Sequence, residues 1–429
     1  MAKIARIWAR EILDSRGIPT VETACMLDSG HVAVASVPAG TSTGTHEALE
    51  LRDQDAKRYL GKGVLQAVSN VNSQLGPAVV GMEATDQEGI DSKLIQLDGT
   101  ENKTKYGGNA ILSISMATAK AGAIAAKQNL YVWVNYLAQK TGLKPPLRMP
   151  IPLFNMINGG LHGAGNLDFQ EFHVIPASSK TFSQSIQAGV EIYLTIGESL
   201  ARRGAIHSVG NEGGYAPNLF TNADALEVLV ESIKQTPYSL GRDVFLGLDV
   251  AANSFAKDGE YVIKDKSSPM DENAMLEYYK SLNEQYRLAI LEDPLSEDAW
   301  GGWKKLNELL SSQLLIVGDD LLATNPKRVE KAIAEKVCNA ILVKPNQIGT
   351  VTETLKVIKM AKDAGWKIIV SHRSGETNDH FIADFAVGVG AEYCKFGAPA
   401  RGERVAKYNR LSAIELELAR LRDGTSLFK

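Results

Sequence analysis

The 429-residue sequence predicts an α/β protein, a (β/α)8-type barrel with an irregular ββαα start, preceded by a smaller α+β domain. Three observations carry that expectation. The chain is longer than one core usually serves, which calls for two domains or a barrel with a satellite. Its second part repeats eight short apolar runs, each ending abruptly in polar residues: PLFNMINGG, QEFHVIP, VFLGLDV, LAILEDP, LLIVGDD, NAILVKPNQ, KIIVSHRSGE and YCKFGAP. Between the last six lie segments long enough for a helix, the rhythm of βα units around a parallel sheet. The proline-dense stretch TGLKPPLRMPIP marks a boundary. It divides a capping domain, residues 1–138, from a barrel domain, residues 139–429.

In the first part, Thr20 to Leu27 is rich in strand formers and His31 to Val37 alternates. Asp28-Ser29-Gly30 between them is a turn, so the two form a hairpin. The segment VPAGTSTGTHEALELRD begins small and flexible and reads as a mobile surface loop. Asn109 to Gln128 is an Ala-rich helix that begins at a good capping residue. In the second part the first two apolar runs leave no room for a helix between them. The barrel therefore starts with a hairpin-like pair. Leu226, Leu229, Val230 and Ile233 share one face of a helix capped near Thr221 or Asn222.

Composition narrows the function classes. Hydrophobic residues are 44% and charged residues 22%, ordinary for a soluble globular protein. A net charge of -4 argues against a nucleic-acid footprint but allows local basic pockets for an anionic metabolite. Three scattered cysteines, Cys25, Cys338 and Cys394, make no disulfide framework and suit a reducing compartment. The start has no long apolar core behind its first charges, and no run reaches the length of a membrane span. The expected location is the cytoplasm.

In such barrels the chemistry sits where strands end. Runs three to five end in Asp249, in Glu292 and Asp293, and in Asp319 and Asp320. Runs six to eight end in Lys344, in His372, Arg373 and Ser374, and in Lys395. One strand-end Asp is equally well a helix cap. Three on adjacent strands crowd like charges and call for a counter-ion, and oxygen ligands with open positions suit Mg²⁺. Lys344 is either an ion-pair partner of these acids or a general base, its pKa lowered by a divalent ion and a second cation. Lys395 either supplies that second charge or binds a substrate carboxylate or phosphate. His372, Arg373 and Ser374 form a donor fork suited to phosphate. Two glycine-rich stretches, INGGLHGAGN and VGNEGGYAPN, surround His162 and Glu212 with flexible backbone. Glu212 either ends a turn or serves as an acid that protonates a leaving group. Glu171 is an acid inside an apolar run, unusual without a partner, and Gln170 beside it is placed to donate to a substrate oxygen.

The segments DSRGIPTVE, TSTGTHEALELRD, INGG with His162, QEF, NEGG, LEDP, VGDDLLATNP, LVKPNQIGT, VSHRSGET and KFGAPARGERVAKYN resemble the enolase family from end to end. That resemblance implies a magnesium-dependent lyase interconverting 2-phosphoglycerate and phosphoenolpyruvate. It implies that Asp249, Glu292 and Asp319 hold a first Mg²⁺ and that substrate oxygens with Ser42 carry a second. It implies that Lys344 takes the C2 proton and that Glu212 helps the 3-hydroxyl leave. His162, Gln170, Glu171, His372, Arg373, Ser374 and Lys395 match positions that contact substrate. The family is typically a homodimer, in some members a ring of dimers. Racemases and cycloisomerases of the wider superfamily share the barrel and its metal carboxylates, but lack the NEGG and SHRSGET segments. A non-catalytic descendant would be signalled by loss of Lys344 or Glu212, and both are here. Four positions depart from the usual pattern: Ile18 for Asn, Ala39 for Ser, Thr41 for Ala and Asn211 for Asp. The last removes a negative neighbour of Glu212, which predicts a lowered Glu212 pKa and a shifted pH optimum.

Overall fold

The structure is a computed structural model that describes residues 2–40, 46–163 and 167–422. Ser42 and Thr41 lie outside the described residues. The first domain opens with β1 (Ile4–Leu13), β2 (Pro19–Leu27) and β3 (Val32–Ser36) in a three-stranded antiparallel sheet. The Asp28-Ser29-Gly30 hairpin turn forms as expected, Gly30 taking φ +83°. β1 went unrecognised in the sequence. Arg6 and Arg10 of IARIWAREIL sit on exposed positions of an edge strand, and Glu11 turns to pair with Arg58, which hides the alternation.

Behind the sheet come α1 (Leu65–Asn70), α2 (Gly76–Val79), α3 (Gln87–Asp98), α4 (Gly108–Ala125) and α5 (Leu130–Lys140). α4 is the Ala-rich helix, buried along nearly its whole length against β2 and β3. Its cap differs from the expectation. Gly107 is the N-cap, and Asn109 lies within the first turn. The Asn109 amide instead ties down the incoming loop, accepting from Leu51 N and donating to Leu51 O.

The second domain holds β4 (Ile151–Asn158), β5 (Glu171–Pro176), α6 (Phe182–Arg202), α7 (Asn222–Lys234) and β6 (Val244–Asp249). A small hairpin, β7 (Ala256–Lys257) and β8 (Glu260–Tyr261), precedes α8 (Glu272–Tyr286). Then follow β9 (Leu288–Glu292), α9 (Trp300–Leu310), β10 (Leu315–Gly318), α10 (Pro326–Glu335) and β11 (Ala340–Val343). The chain continues through α11 (Pro345–Ile348), α12 (Val351–Asp363), β12 (Lys367–Ser371), α13 (Phe381–Gly388), β13 (Tyr393–Lys395) and α14 (Gly402–Arg422). The strands close in the order β10-β11-β12-β13-β4-β5-β6-β9. All eight apolar runs contribute one strand each. β4 and β5 pair antiparallel, as do β5 and β6, so the irregular start is real.

Local chemistry explains the helix starts. Thr221 caps α7 through a reciprocal box with Asp224, and Thr181 does the same for α6 with Gln184. The barrel interior is plugged by Leu153, Ile175, Ile290, Val317, Ala340, Leu342 and Ile369, which form their own apolar cluster. The larger core lies between barrel and helices and runs on into the first domain. Among the described residues no single helix is long and apolar enough to cross a membrane.

Candidate active site

Strand periodicity builds the site. Side chains two apart share a face. Ile290 faces the interior plug, so Glu292 does too, one step nearer the rim. By the same parity Val317 leads to Asp319, and Leu342 to Lys344. Register ties the ring together, with Glu171 opposite Asp249, Asp249 opposite Glu292, and Ser371 opposite Lys395. The strand-end charges therefore converge above the apolar plug. They line a narrow cleft of about 50 Å³ with His162, Gln170, Glu212, His372, Arg373 and Ser374. Glu292 lies just beneath it, fully buried.

Two amines serve the acids. Lys395 Nζ donates to Asp249 Oδ2 at 2.8 Å and to Glu292 Oε1 and Oε2 at 2.9 and 3.0 Å, and lies 3.2 Å from Glu171 Oε2. Burial opposes its charge, but Asp249, Glu171 and Glu292 outweigh burial and hold the amine protonated. Lys344 Nζ pairs with Asp319 Oδ2. Burial lowers the Lys344 pKa, yet Asp319 more than reverses this, so the net shift is upward. In the ion-free chain Asp319 holds the Lys344 proton more strongly than Arg373 and Lys395 repel it, and the lowering expected beside a divalent ion belongs to the metal-bound state.

The acids still outnumber these amines. Asp249, Glu292, Asp293, Asp319 and Asp320 gather around Lys344 and Lys395. Burial, and then Asp249, push the Glu292 carboxyl well above the usual range. Burial and Asp320 do the same to Asp293, and burial with Asp319 raises Asp320 to about 7. Oxygen donors with surplus negative charge fit a hard divalent cation. Oxygens of Asp293, Asp319 and Asp320 all lie within 4.8 Å of one another, so Asp319 is common to this set and to the expected one. Asp293 is already engaged: its carboxylate accepts the backbone N–H groups of Asp319 at 2.9 Å and Asp320 at 2.7 Å. Its φ of +42° places strained backbone at this rim.

Glu212 occupies a second corner. Its loop is stitched to β4 by Tyr215 and joined to the residues after β13 through Ala398 N and Glu212 O. Glu212 Oε2 accepts from Asn155 Nδ2 at 3.2 Å and lies 3.1 Å from His372 Nε2, while His162 Nδ1 is 3.4 Å from Oε1. Burial and Glu171 push its pKa up, but His372 and His162 prevail and bring it to about 2. The neighbours responsible are histidines, and Asn211 is held through its backbone carbonyl by Arg404. Glu171 bridges His162 Nδ1 at 3.1 Å and His173 Nε2 at 2.9 Å, which explains its burial inside an apolar run. Gln170 Nε2 donates to Asp249 Oδ2 at 3.2 Å.

Arg373 forms the third corner. Its Nη1 donates to Glu47 Oε2 at 2.9 Å and to Asn346 Oδ1 at 3.2 Å, so the first domain supplies part of the wall. Arg16 Nη1 reaches Ser374 Oγ at 3.5 Å, and Ala39 and Gly375 exchange backbone hydrogen bonds. Sequence reading overlooked Glu47, Asn155, His173, Gln347 and Arg404. Gln347 Nε2 donates to Asp319 Oδ1 at 3.1 Å, and its Oε1 accepts from Thr324 Oγ1 at 2.6 Å. For two of the overlooked residues the sequence held a signal, a polar residue within three positions of a reactive one: His173 after Glu171 and Gln347 after Lys344.

Residues 146–424 match the family model described as the enolase C-terminal TIM barrel domain. Residues 4–134 match that for the enolase N-terminal domain. With both domains matched in order over nearly the whole length, the chain belongs to the enolase family.

Proposed function

We propose that the protein catalyses the reversible dehydration of 2-phosphoglycerate to phosphoenolpyruvate, with Mg²⁺ as its cofactor. One observation carries this reading: Lys344 and Glu212 line a single cleft, separated around the ring by β12 and β13 with their cations Arg373 and Lys395, while the surplus acids line the opposite arc on β6, β9 and β10. The C2 proton lies beside a carboxylate and is barely acidic, since its removal leaves a doubly charged aci-carboxylate. Bound by Asp249, Glu292 and Asp319, a divalent ion would draw the Asp319 charge away from Lys344 and stabilise negative charge on the substrate carboxylate.

Lys344 is the base at C2. Its amine is held near the cleft by Asp319 and is freed to accept a proton as that pairing weakens. Glu212 is the acid for the 3-hydroxyl. It rests ionised, so it takes up a proton as the anionic substrate enters, before giving it to the leaving oxygen. Lys395 places a fixed positive charge beside the developing carboxylate charge. Arg373 and Ser374 offer donors to the phosphate, while His372 stands behind them with its Nε2 on Glu212. Ser42 belongs to the same proposal as a ligand of a second Mg²⁺. A homodimer or a ring of dimers is the assembly this reading implies, and sedimentation velocity checks it.

The direct test adds 2-phosphoglycerate and Mg²⁺ to the purified protein and follows enol-pyruvate absorbance in the ultraviolet. Absorbance that grows with Mg²⁺ and stops with chelator supports the reading. A folded, Mg²⁺-loaded protein that produces none refutes it.

A further inference from the structure

Behind the cleft lies Arg404, near the start of α14, with no exposed surface. Its Nη1 lies 2.6 Å from His372 Nδ1 and donates to Arg373 O at 2.6 Å. Its Nη2 donates to Ser374 O at 2.6 Å and to Asn211 O at 3.0 Å. A guanidinium has donors only and is not deprotonated in proteins. His372 Nδ1 must therefore be the acceptor and carry no hydrogen. The neutral ring then keeps its hydrogen on Nε2, 3.1 Å from Glu212 Oε2. Gly397, with φ +90°, lets the three residues close up. A Cβ there would lie 2.7 Å from Glu212 O and 3.0 Å from both Arg404 Cδ and His372 Cε1.

We propose that Arg404 is a positioning residue: it holds His372 as a neutral ring protonated on Nε2 and so keeps a fixed donor on Glu212. Two consequences follow for the reaction assigned above, on which this part rests. His372 cannot relay a proton through Nδ1. Glu212 Oε2 is taken up by His372 and Asn155, so the proton that Glu212 exchanges with substrate sits on Oε1, the oxygen beside His162. The charges facing His372 are Glu212 on its loop, Arg404 on α14 and Glu171 on β5.

The test labels the seven histidines of the full chain with ¹⁵N and assigns His372 by the signal lost in His372→Gln. In the native protein His372 Nδ1 resonates as an unprotonated nitrogen and Nε2 as a protonated one, unchanged between about pH 6 and pH 9. Arg404→Met lets the ring exchange tautomers and titrate near the free value of about 6.5, whereas Arg404→Lys, still a donor only, preserves the native pattern. With 2-phosphoglycerate, Arg404→Met lowers kcat about tenfold or more and changes KM less than about threefold, and Arg404→Lys recovers most of the loss. A native spectrum with hydrogen on Nδ1 overturns the proposal, as does an Arg404→Met ring that behaves like the native one. Should Arg404→Met fail to fold, the native spectrum alone decides. That spectrum needs no substrate, so it stands or falls apart from the reaction.

Discussion

Lys395 shows what single residues do at this site. Its amine is the common partner of Asp249, Glu292 and Glu171, all nearly fully buried. Removing it leaves those acids uncompensated in a low-dielectric interior. Lys395→Met is expected to cost about 3–5 kcal/mol at neutral pH, measured by urea unfolding in chelator, and less near pH 5, where the acids gain protons more readily. An unchanged midpoint would mean the three acids are neutralised some other way. The strand-end acids and amines were legible in the sequence because a strand end in a barrel has one destination. Their supports were not. Glu47 meets Arg373 across 326 positions from a loop and Arg404 meets His372 across 32 from the start of α14, and no period in the sequence links such pairs.

Among the elements, those with a strong period were the readable ones. The eight barrel strands are short apolar runs, and α7 starts at the Thr221 that its capping pattern indicates. β1 was missed because exposed Arg6 and Arg10 and half-buried Glu11 interrupt its apolar pattern. Asn109 misled as a cap because its amide serves a loop at Leu51, a tertiary contact that overrides local preference. The turn after β13 depends on one glycine. Gly397→Ala puts a Cβ against Glu212 O at a φ of +90°, so it is expected to destabilise by more than about 1 kcal/mol and to lower activity through displaced Glu212. Thermal unfolding and the ultraviolet assay, run together on the variant, check both effects. Full activity with native stability would show that the turn tolerates a side chain.

At the scale of the whole molecule, two domains complete one cleft, and its excess of acid couples stability to pH and metal. Asp320 moves from its ordinary 3.8 to about 7 in the folded chain, so folding favours its neutral form. That contribution is fully present below about pH 3.8 and is lost as pH rises through about 7. Glu212 works the other way: its contribution is present above its ordinary 4.5 and is lost as pH falls through about 2. In chelator, Asp320→Asn should therefore gain Tm over the native chain at about pH 8 and gain little at about pH 4. Mg²⁺ should raise the native Tm more at pH 8 than at pH 5, since protons compete for the same carboxylates. Equal Mg²⁺ effects at both pH values would argue that these acids do not hold the ion.

The proposed reaction divides its labour between Lys344 and Glu212, and hydrogen exchange at C2 of 2-phosphoglycerate in D₂O reads that division directly. With Mg²⁺ present, Glu212→Gln is predicted to exchange the C2 proton while forming little phosphoenolpyruvate, because the base is intact and the acid is gone. Lys344→Met is predicted to do neither, its exchange falling by about 100-fold or more. Exchange at the native rate in Lys344→Met would contradict the assignment of the base and with it the central claim.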